Sequence, residues 1–132
     1  QEMEHVRHYI SIENVRFPDM TFSFEMRSGD FSLPALTIQP IVENAIKHGL
    51  MKLQKGGSIR VISYETDTDY CISVEDDGVG FDMSELRDEK KHIGIRNIRD
   101  RLKAMVGGTL IIESTQGVGT KVLIRIPKEG EK

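Results

Sequence analysis

The chain has 132 residues, enough for one domain with a hydrophobic core, and its 38% hydrophobic and 30% charged residues are typical of a globular protein. The formal net charge of -3 gives no electrostatic reason to expect a nucleic-acid partner, and no apolar run approaches the roughly 20 residues that span a bilayer. The single cysteine, Cys71, excludes an internal disulfide and fits a reducing compartment.

The N-terminal segment predicts a helix followed by a strand. Residues 2–13 carry apolar side chains at helical spacing, namely Met3, Val6, Tyr9 and Ile10. Residues 21–27 alternate between apolar and polar side chains, which is typical of a half-buried strand with Phe22, Phe24 and Met26 on its inner side. We therefore expect a short amphipathic helix, a turn and one strand.

The most regular helical pattern in the chain follows Thr37, a residue type that often caps a helix N-terminus. Pro40 would then lie in the first turn, where its missing N–H costs nothing. At 3.6 residues per turn the apolar residues share one face, which consists of Ile38, Ile41, Val42, Ala45, Ile46 and Leu50. Gly49 lies on the same face and could instead end the helix.

The rest of the chain predicts two hairpins separated by a helix. Residues 59–65 and 70–76 are joined by the turn TDTD, and residues 109–114 and 120–126 flank the turn TQGVG. The helix between them is expected from Ile95 to about Met105, with core-facing residues Ile95, Ile98, Leu102 and Met105. Strands that fall mainly in hairpins predict an α+β fold, a two-layer α/β sandwich of about five mixed strands with the three helices on one face.

The polar face of the helix after Thr37 carries Glu43, Asn44, Lys47 and His48. Spacing of i,i+4 places Asn44 beside His48 and Glu43 beside Lys47. This face is either a solvated surface with one Glu–Lys pair, or a site where Asn44 offers an oxygen to a hard cation. Mg²⁺ bound in this way would complete its shell with water and nucleotide phosphates, which Lys47 and His48 would face.

An acidic loop with two glycines follows the strand that ends at Asp76. Gly78 and Gly80 permit positive φ and let a flat ligand lie close to the backbone. Acids repel phosphate, but a carboxylate at a strand end can accept a hydrogen bond from the exocyclic amine of adenine. The loop is therefore either an ordinary exposed turn or a site for a base whose phosphates lie elsewhere.

Two further glycine-containing segments complete the pattern. A helix that begins at Gly94 would offer free backbone N–H groups and the positive end of its dipole to an anion. The segment GVGT leads into the last strand, where Thr120 could share the hydrogen-bond network of Asp76 through water.

The order of these segments is much more specific than any one of them. VENAIKHG, VEDDGVGF, a charged connector, HIGIRNIRDRL and GVGTKVLIRIP follow one another along the chain. This order resembles the N box, the two glycine boxes and the closing G-x-G-T of the Bergerat-fold, or GHKL, ATPases. Within that superfamily, LPALTIQPIVENAIKHGL together with GIRNIRDRL resembles the sensor histidine kinases of the LytS/YesM type.

The resemblance implies a protein-histidine kinase that binds ATP and Mg²⁺. It implies a metal ligand at Asn44, an adenine-binding carboxylate at Asp76 and a mobile ATP lid over residues 81–93. Glu43, next to the metal ligand, is a candidate substitute in a polarising role for the carboxylate that other members of the superfamily carry four residues before that ligand. The residues that would contact the cofactors are Asn44, Lys47, His48, Asp76, Gly78, Gly80, Gly94, Ile95 and Thr120.

The sequence departs from the superfamily pattern at two positions within these motifs. His92 replaces the first glycine of the second glycine box, which affects the hinge of the lid. Pro40 stands where other members carry Glu or Asn, four residues before the metal-binding Asn. A water-activating ATPase would miss that carboxylate, whereas a kinase whose nucleophile is a histidine would not. The substitution therefore favours a kinase over a hydrolase.

The resemblance also predicts how the chain is organised. Residues 1–17 would be the end of a linker helix from an upstream dimerisation and phosphoacceptor domain, and residues 18–132 the ATP-binding catalytic domain. His5 and His8 lack the Pro-His-Phe context of the family's acceptor histidine, which is expected upstream. The expected partners are that domain and a response regulator, in a homodimeric protein with a cytoplasmic catalytic domain and a membrane anchor.

Two alternatives stay open at this point. One is a Bergerat-fold ATPase or serine kinase that regulates a protein partner. The other is an interaction module that has kept the fold and lost nucleotide binding, and His92 is its best support in the sequence.

Overall fold

The structure is a computed structural model that describes residues 3–29, 31, 33–34, 37–48, 57–80 and 89–128. Within these ranges the chain forms three helices and five strands. In chain order they are α1 (Met3–Arg16), β1 (Thr21–Met26), α2 (Ile38–His48), β2 (Ser58–Glu65), β3 (Asp69–Asp76), α3 (Glu89–Val106), β4 (Thr109–Thr115) and β5 (Gly119–Pro127). None of these helices is long and apolar enough to cross a bilayer.

The five strands form one mixed sheet with the order β1-β2-β3-β5-β4. β1 and β2 are parallel, and every other neighbouring pair is antiparallel. Parallel neighbours need a crossover connection, and α2 lies in the segment between β1 and β2. The predicted α+β fold with five mixed strands and three helices on one face is therefore confirmed for the described part of the chain.

The hydrophobic core lies between the helices and one face of the sheet. Alternation along the strands sends one set of side chains toward the helices, including Ile59 and Val61 of β2 and Ile72 and Val74 of β3. The predicted apolar face of α2 packs on them, with buried Ile38, Ile41, Val42 and Ile46 and a half-buried Ala45. Gly49 and Leu50 lie outside the described residues.

α1 is part of the same core. Met3, Val6 and Ile10 are buried in the hydrophobic cluster, and the helix ends at Arg16, just before the turn at residues 17–20, as predicted. The Asn14 side chain donates to the carbonyl oxygen of Phe22 at 2.8 Å and accepts from its N–H at 2.9 Å. Since β1 is an edge strand, this amide serves as its hydrogen-bonding neighbour there. The predicted linker segment and the predicted catalytic domain thus share one core.

Two predictions about α3 were wrong. The helix begins at Glu89 and not at Gly94, because Glu89, Lys90 and Lys91 are good helix formers. Met105, predicted to face the core, is 63% exposed. Either the i+3 or the i+4 position after Leu102 can face a core, and here the i+4 residue, Val106, packs inward.

Candidate functional site

Three polar residues lie side by side across the end of the sheet. Asp76 is the last residue of β3, and its register partner on β5 is Thr120. Thr120 is in turn the partner of Ser114 on β4. Each of the three lies two residues along its strand from a buried core residue, for example Val74 for Asp76 and Val122 for Thr120. Their side chains therefore point to the face of the sheet that carries the core. We call Asp76, Thr120 and Ser114 the polar row.

Hydrogen bonds connect the polar row to the neighbouring backbone. The Gly78 N–H donates to Oδ1 of Asp76 at 2.8 Å, and the backbone N–H of Thr120 donates to the same carboxylate. The hydroxyl oxygens of Ser114 and Thr120 are 2.7 Å apart, and the Ser114 hydroxyl also lies 3.1 Å from the Gly119 carbonyl oxygen. A carboxylate has about four acceptor positions, so Asp76 can accept further donors.

Burial raises the pKa of Asp76 from 3.8 to about 6. The two backbone N–H groups lower this pKa and the charge of Asp77 raises it, but desolvation is the largest effect. Near neutral pH the carboxylate is therefore mainly ionised, in surroundings that penalise its charge. A ligand that donates a hydrogen bond to it would relieve part of that penalty.

A cleft lies at the same end of the sheet, mainly on the face opposite to the polar row, since Glu75, Lys121 and Glu113 of its lining alternate with the polar row along the strands. Its volume is about 270 Å³, close to the lower end of the range for small-molecule pockets. Its lining residues are Glu75, Asp76, Glu113, Thr115, Val118, Gly119, Thr120 and Lys121. The cleft is thus formed by the ends of β3, β4 and β5 and the turn between the last two strands.

Gly80 is required by the fold itself. Its φ is 65°, and a Cβ there would lie 2.2 Å from the carbonyl oxygen of Thr115. The Gly117 N–H donates to the Val79 carbonyl oxygen at 2.6 Å, so the loop after β3 packs against the β4–β5 turn. The predicted positive φ is confirmed at Gly80, and its cause here is contact between two backbone segments. The base-pocket role of Gly78 and Gly80 stays a prediction.

The polar face of α2 lies beside α1. Asn44 is half-buried, and Glu43 and Lys47 are exposed; the side chain of His48 is outside the described residues. The Glu43–Lys47 pair of the solvated-surface alternative is not among the ion pairs of the described residues. Nη1 of Arg16 instead lies 3.8 Å from Oε1 of Glu43. A cavity of about 350 Å³ lies next to this pair, lined by Arg16, Phe17, Glu43, Ile46 and Lys47.

The predicted anion site at Gly94 is not formed in this structure. Gly94 and Ile95 lie inside α3, where backbone N–H groups bind carbonyls of the preceding turn. The Ile95 side chain is only 4% exposed and belongs to the core. Residues 81–88 of the predicted lid lie outside the described residues, and residues 89–93 are helical.

Sequence reasoning missed two residues of this region. Ser114 is the third member of the polar row, and the only signal for it is a small polar side chain at the inward phase of a strand that also buries Leu110 and Ile112. Arg16 contacts Glu43 across two helices that are distant in sequence, and no local pattern indicates such a contact.

Comparison with known proteins connects this geometry to a family. Residues 29–130 match the family of histidine kinase-, DNA gyrase B- and HSP90-like ATPases. YwpD of Bacillus subtilis (strain 168) is 37% identical over 133 residues, which cover 95% of this chain and 48% of YwpD. The sensor histidine kinase YesM of the same organism is 34% identical over 137 residues, which cover 99% of this chain and 24% of YesM.

The fold has solved counterparts as well. The histidine kinase domain of a blue-light activated histidine kinase from Erythrobacter litoralis superposes with a TM-score of 0.73 at 22% identity, over 91% of this chain and 58% of that one. The chain spans about half the length of YwpD and about a quarter of YesM. The predicted family resemblance is confirmed: the chain belongs to the histidine kinase-, DNA gyrase B- and HSP90-like ATPases, as an ATP-binding domain of the sensor histidine kinase type.

Proposed function

We propose that this chain binds Mg·ATP and presents the γ-phosphoryl group to a histidine of a dimerisation and phosphoacceptor domain in the same homodimeric protein. From that histidine the group passes to an aspartate of a response regulator. The partly buried carboxylate of Asp76, at the end of a central strand and with acceptor capacity to spare, is the observation that carries the proposal. The catalytic domain would work in the cytoplasm, and a membrane anchor would lie elsewhere in the protein.

Base recognition rests on the polar row. Asp76 would accept a hydrogen bond from the exocyclic amine of adenine, and guanine, with a carbonyl at that position, would be rejected. Its two backbone donors fix the carboxylate against the strand ends, so its orientation costs little on binding. Thr120 would support Asp76 from the neighbouring strand, since its N–H already donates to that carboxylate. Gly78 and Gly80 would form the wall on which the base lies.

The metal and phosphate assignments rest on α2. Asn44 would give one oxygen to Mg²⁺, while Lys47 and His48 would contact phosphates. Among the described ranges no three His, Cys, Asp or Glu side chains converge on a common point. This fits an ion that takes its other ligands from water and triphosphate, as Mg²⁺ does in nucleotide sites. When bound, the ion neutralises charge on the phosphates.

Gly94 and Ile95 would contribute backbone N–H groups to the phosphates. These groups are engaged inside α3 in this structure, so phosphate binding there requires residues 89–93 to leave the helix. Such a change would expose a new helix N-terminus with a positive dipole end. Nucleotide binding and the start of α3 would thus be linked.

Glu43 would polarise the attacking histidine. Glu43 precedes the proposed metal ligand in the sequence and lines the cavity of about 350 Å³ between α1 and α2. This cavity is large enough for an imidazole ring. Pro40 occupies the position where a water-activating ATPase carries its carboxylate. The lack of that carboxylate favours transfer of the phosphoryl group to a side chain rather than to water.

Calorimetry with chosen nucleotides tests the proposal. Wild-type chain with Mg²⁺ should bind ATP about 10- to 150-fold more tightly than purine riboside triphosphate, which lacks the amine, because a hydrogen bond to a charged group contributes about 1.5–3 kcal/mol. GTP should bind weakly for the same reason. Asp76→Asn should reduce the preference for ATP, because its neutral amide oxygen is a weaker acceptor than a carboxylate. Equal affinities of the wild-type chain for both purines would refute the base assignment, and no binding of any nucleotide would refute the proposed function.

A further inference from the structure

One arginine nitrogen joins two helices through two carboxylates. Nη1 of Arg16, at the end of α1, lies 3.6 Å from Oε1 of Glu13 and 3.8 Å from Oε1 of Glu43 on α2. Glu13 is one turn earlier on the same helix, whereas Glu43 precedes the proposed metal ligand Asn44 by one residue. The guanidinium of Arg16 therefore connects the N-terminal helix to the helix of the proposed site.

Glu13 is an unusual residue for the inner side of α1. It is 1% exposed, and Arg16 is its one ion-pair partner within the described part of the chain. Burial raises the pKa of the neighbouring Tyr9 well above its usual range, and the Glu13 charge raises it further. Even so, neither the Tyr9 hydroxyl nor Oε2 of Glu13 has geometry suitable for a hydrogen bond in the described part. A buried carboxylate in this position attracts a cation strongly.

The guanidinium of Arg16 is restrained from a second side. It lies over the ring of Phe17, 4.8 Å from the ring centroid, in cation–π geometry. Glu13 and Phe17 thus limit the positions that the guanidinium can adopt, although its side chain is 58% exposed. Its contact with the 48% exposed Glu43 side chain adds little to stability, because exposed ion pairs are weak.

We infer that Arg16 is a positioning residue that orients the Glu43 carboxylate at the cavity between α1 and α2. Arg16, Phe17 and Glu43 line that cavity together. The buried Glu13 fixes Arg16, and Arg16 restricts the rotamers of Glu43. This inference rests on the proposed role of Glu43 toward the acceptor histidine.

The test is a phosphoryl-transfer assay in a polypeptide that carries this chain behind its dimerisation and phosphoacceptor domain. Arg16→Met should lower the rate of histidine phosphorylation about two- to five-fold, the range expected for loss of one exposed ion pair, while the dissociation constant of Mg·ATP stays unchanged. Arg16→Lys should recover most of the rate, because one cationic nitrogen makes both contacts. Arg7→Met is the matched control, since Arg7 lies on the same helix over the Phe24 ring.

A double-mutant cycle separates positioning from structure. If Arg16 acts through Glu43, Arg16→Met has no further effect in the Glu43→Gln background. If Arg16→Met instead slows transfer by leaving Glu13 unpaired in the core, adding Glu13→Gln restores the rate, and the inference is overturned. A rate for Arg16→Met equal to wild type, or additive effects in the cycle, overturns it as well. A wild-type protein that binds Mg·ATP but phosphorylates no histidine refutes the proposed function, a separate outcome.

Discussion

Replacement of Asp76 by Asn should make the ligand-free protein more stable at neutral pH while it weakens nucleotide binding. The pKa of Asp76 rises from 3.8 to about 6 on folding, so the ionised form is disfavoured in the folded protein relative to the unfolded chain. The folded protein binds more protons than the unfolded one between these two values. Stability is therefore lost as the pH rises from about 4 to about 6, and the loss is complete above that range.

The size of this effect follows from the pKa shift. The rise of the Asp76 pKa from 3.8 to about 6 corresponds to about 3 kcal/mol at pH 7.5 and only about 0.5 kcal/mol at pH 4. Asn keeps an oxygen that can accept from the Gly78 N–H, and it carries no charge. Its NH₂ group, however, is a donor and needs an acceptor of its own. We therefore expect Asp76→Asn to raise the free energy of unfolding by about 1–3 kcal/mol at pH 7.5.

Denaturant unfolding at pH 7.5 and at pH 4 measures the change. The gain at pH 7.5 should shrink to about 0.5 kcal/mol or less at pH 4, where the wild-type carboxyl is protonated in the folded state. Asp77→Asn is the control: both Asp77 oxygens accept from Ser58, from its N–H at 2.7 Å and its hydroxyl at 3.0 Å, and the Asp77 charge is the smallest contribution to the Asp76 pKa, so this variant should gain much less than Asp76→Asn. A less stable Asp76→Asn protein at pH 7.5, or a gain that does not depend on pH, would refute the reasoning.

Further predictions concern ligand binding and backbone contacts. ATP affinity should fall about tenfold between pH 7 and pH 5, because the amine donates to the ionised form of Asp76, and Asp76→Asn should lack this dependence; calorimetry at both pH values checks it. Gly80→Ala should cost more than about 2 kcal/mol in unfolding experiments, because its Cβ would overlap the Thr115 carbonyl, whereas Gly107→Ala, at a similar φ of 67° in open space, should cost about 1 kcal/mol. Mg·ATP should speed amide hydrogen exchange at Ile93 if phosphate binding unwinds residues 89–93, because its N–H is the one in that range with a helical acceptor, and slower exchange there would contradict this.

The sequence predicted the fold to the extent that local patterns determine it. The apolar stripe of α2 and the two hairpins follow from helical and strand periodicity, and the sheet face on which they pack follows from alternation. Periodicity cannot tell whether the position after Leu102 that faces the core is i+3 or i+4, and so Met105 was assigned wrongly. The start of α3 was also wrong, because a glycine at position 94 suggested a boundary that the helix formers before it do not respect.

The candidate site depends on contacts that no local pattern contains. Asp76 was identified by its place at a strand end, but the pKa shift that makes it distinctive needs the burial that only the folded sheet provides. Ser114 lies near Asp76 only because of the strand register, which pairs Asp76 of β3 with Thr120 of β5 and Thr120 with Ser114 of β4. One of the two alternatives for the polar face of α2 paired Glu43 with Lys47 of the same helix, whereas the structure pairs Glu43 with Arg16 of α1, because i,i+4 neighbours compete with tertiary partners.

A crystal structure of this chain with Mg²⁺ and a non-hydrolysable ATP analogue tests the central claim most directly. We predict that the exocyclic amine of the adenine lies about 3 Å from a carboxylate oxygen of Asp76, with the ion on the Asn44 side-chain oxygen. A base seated in another part of the molecule, with the Asp76 carboxylate free of it, would contradict the account.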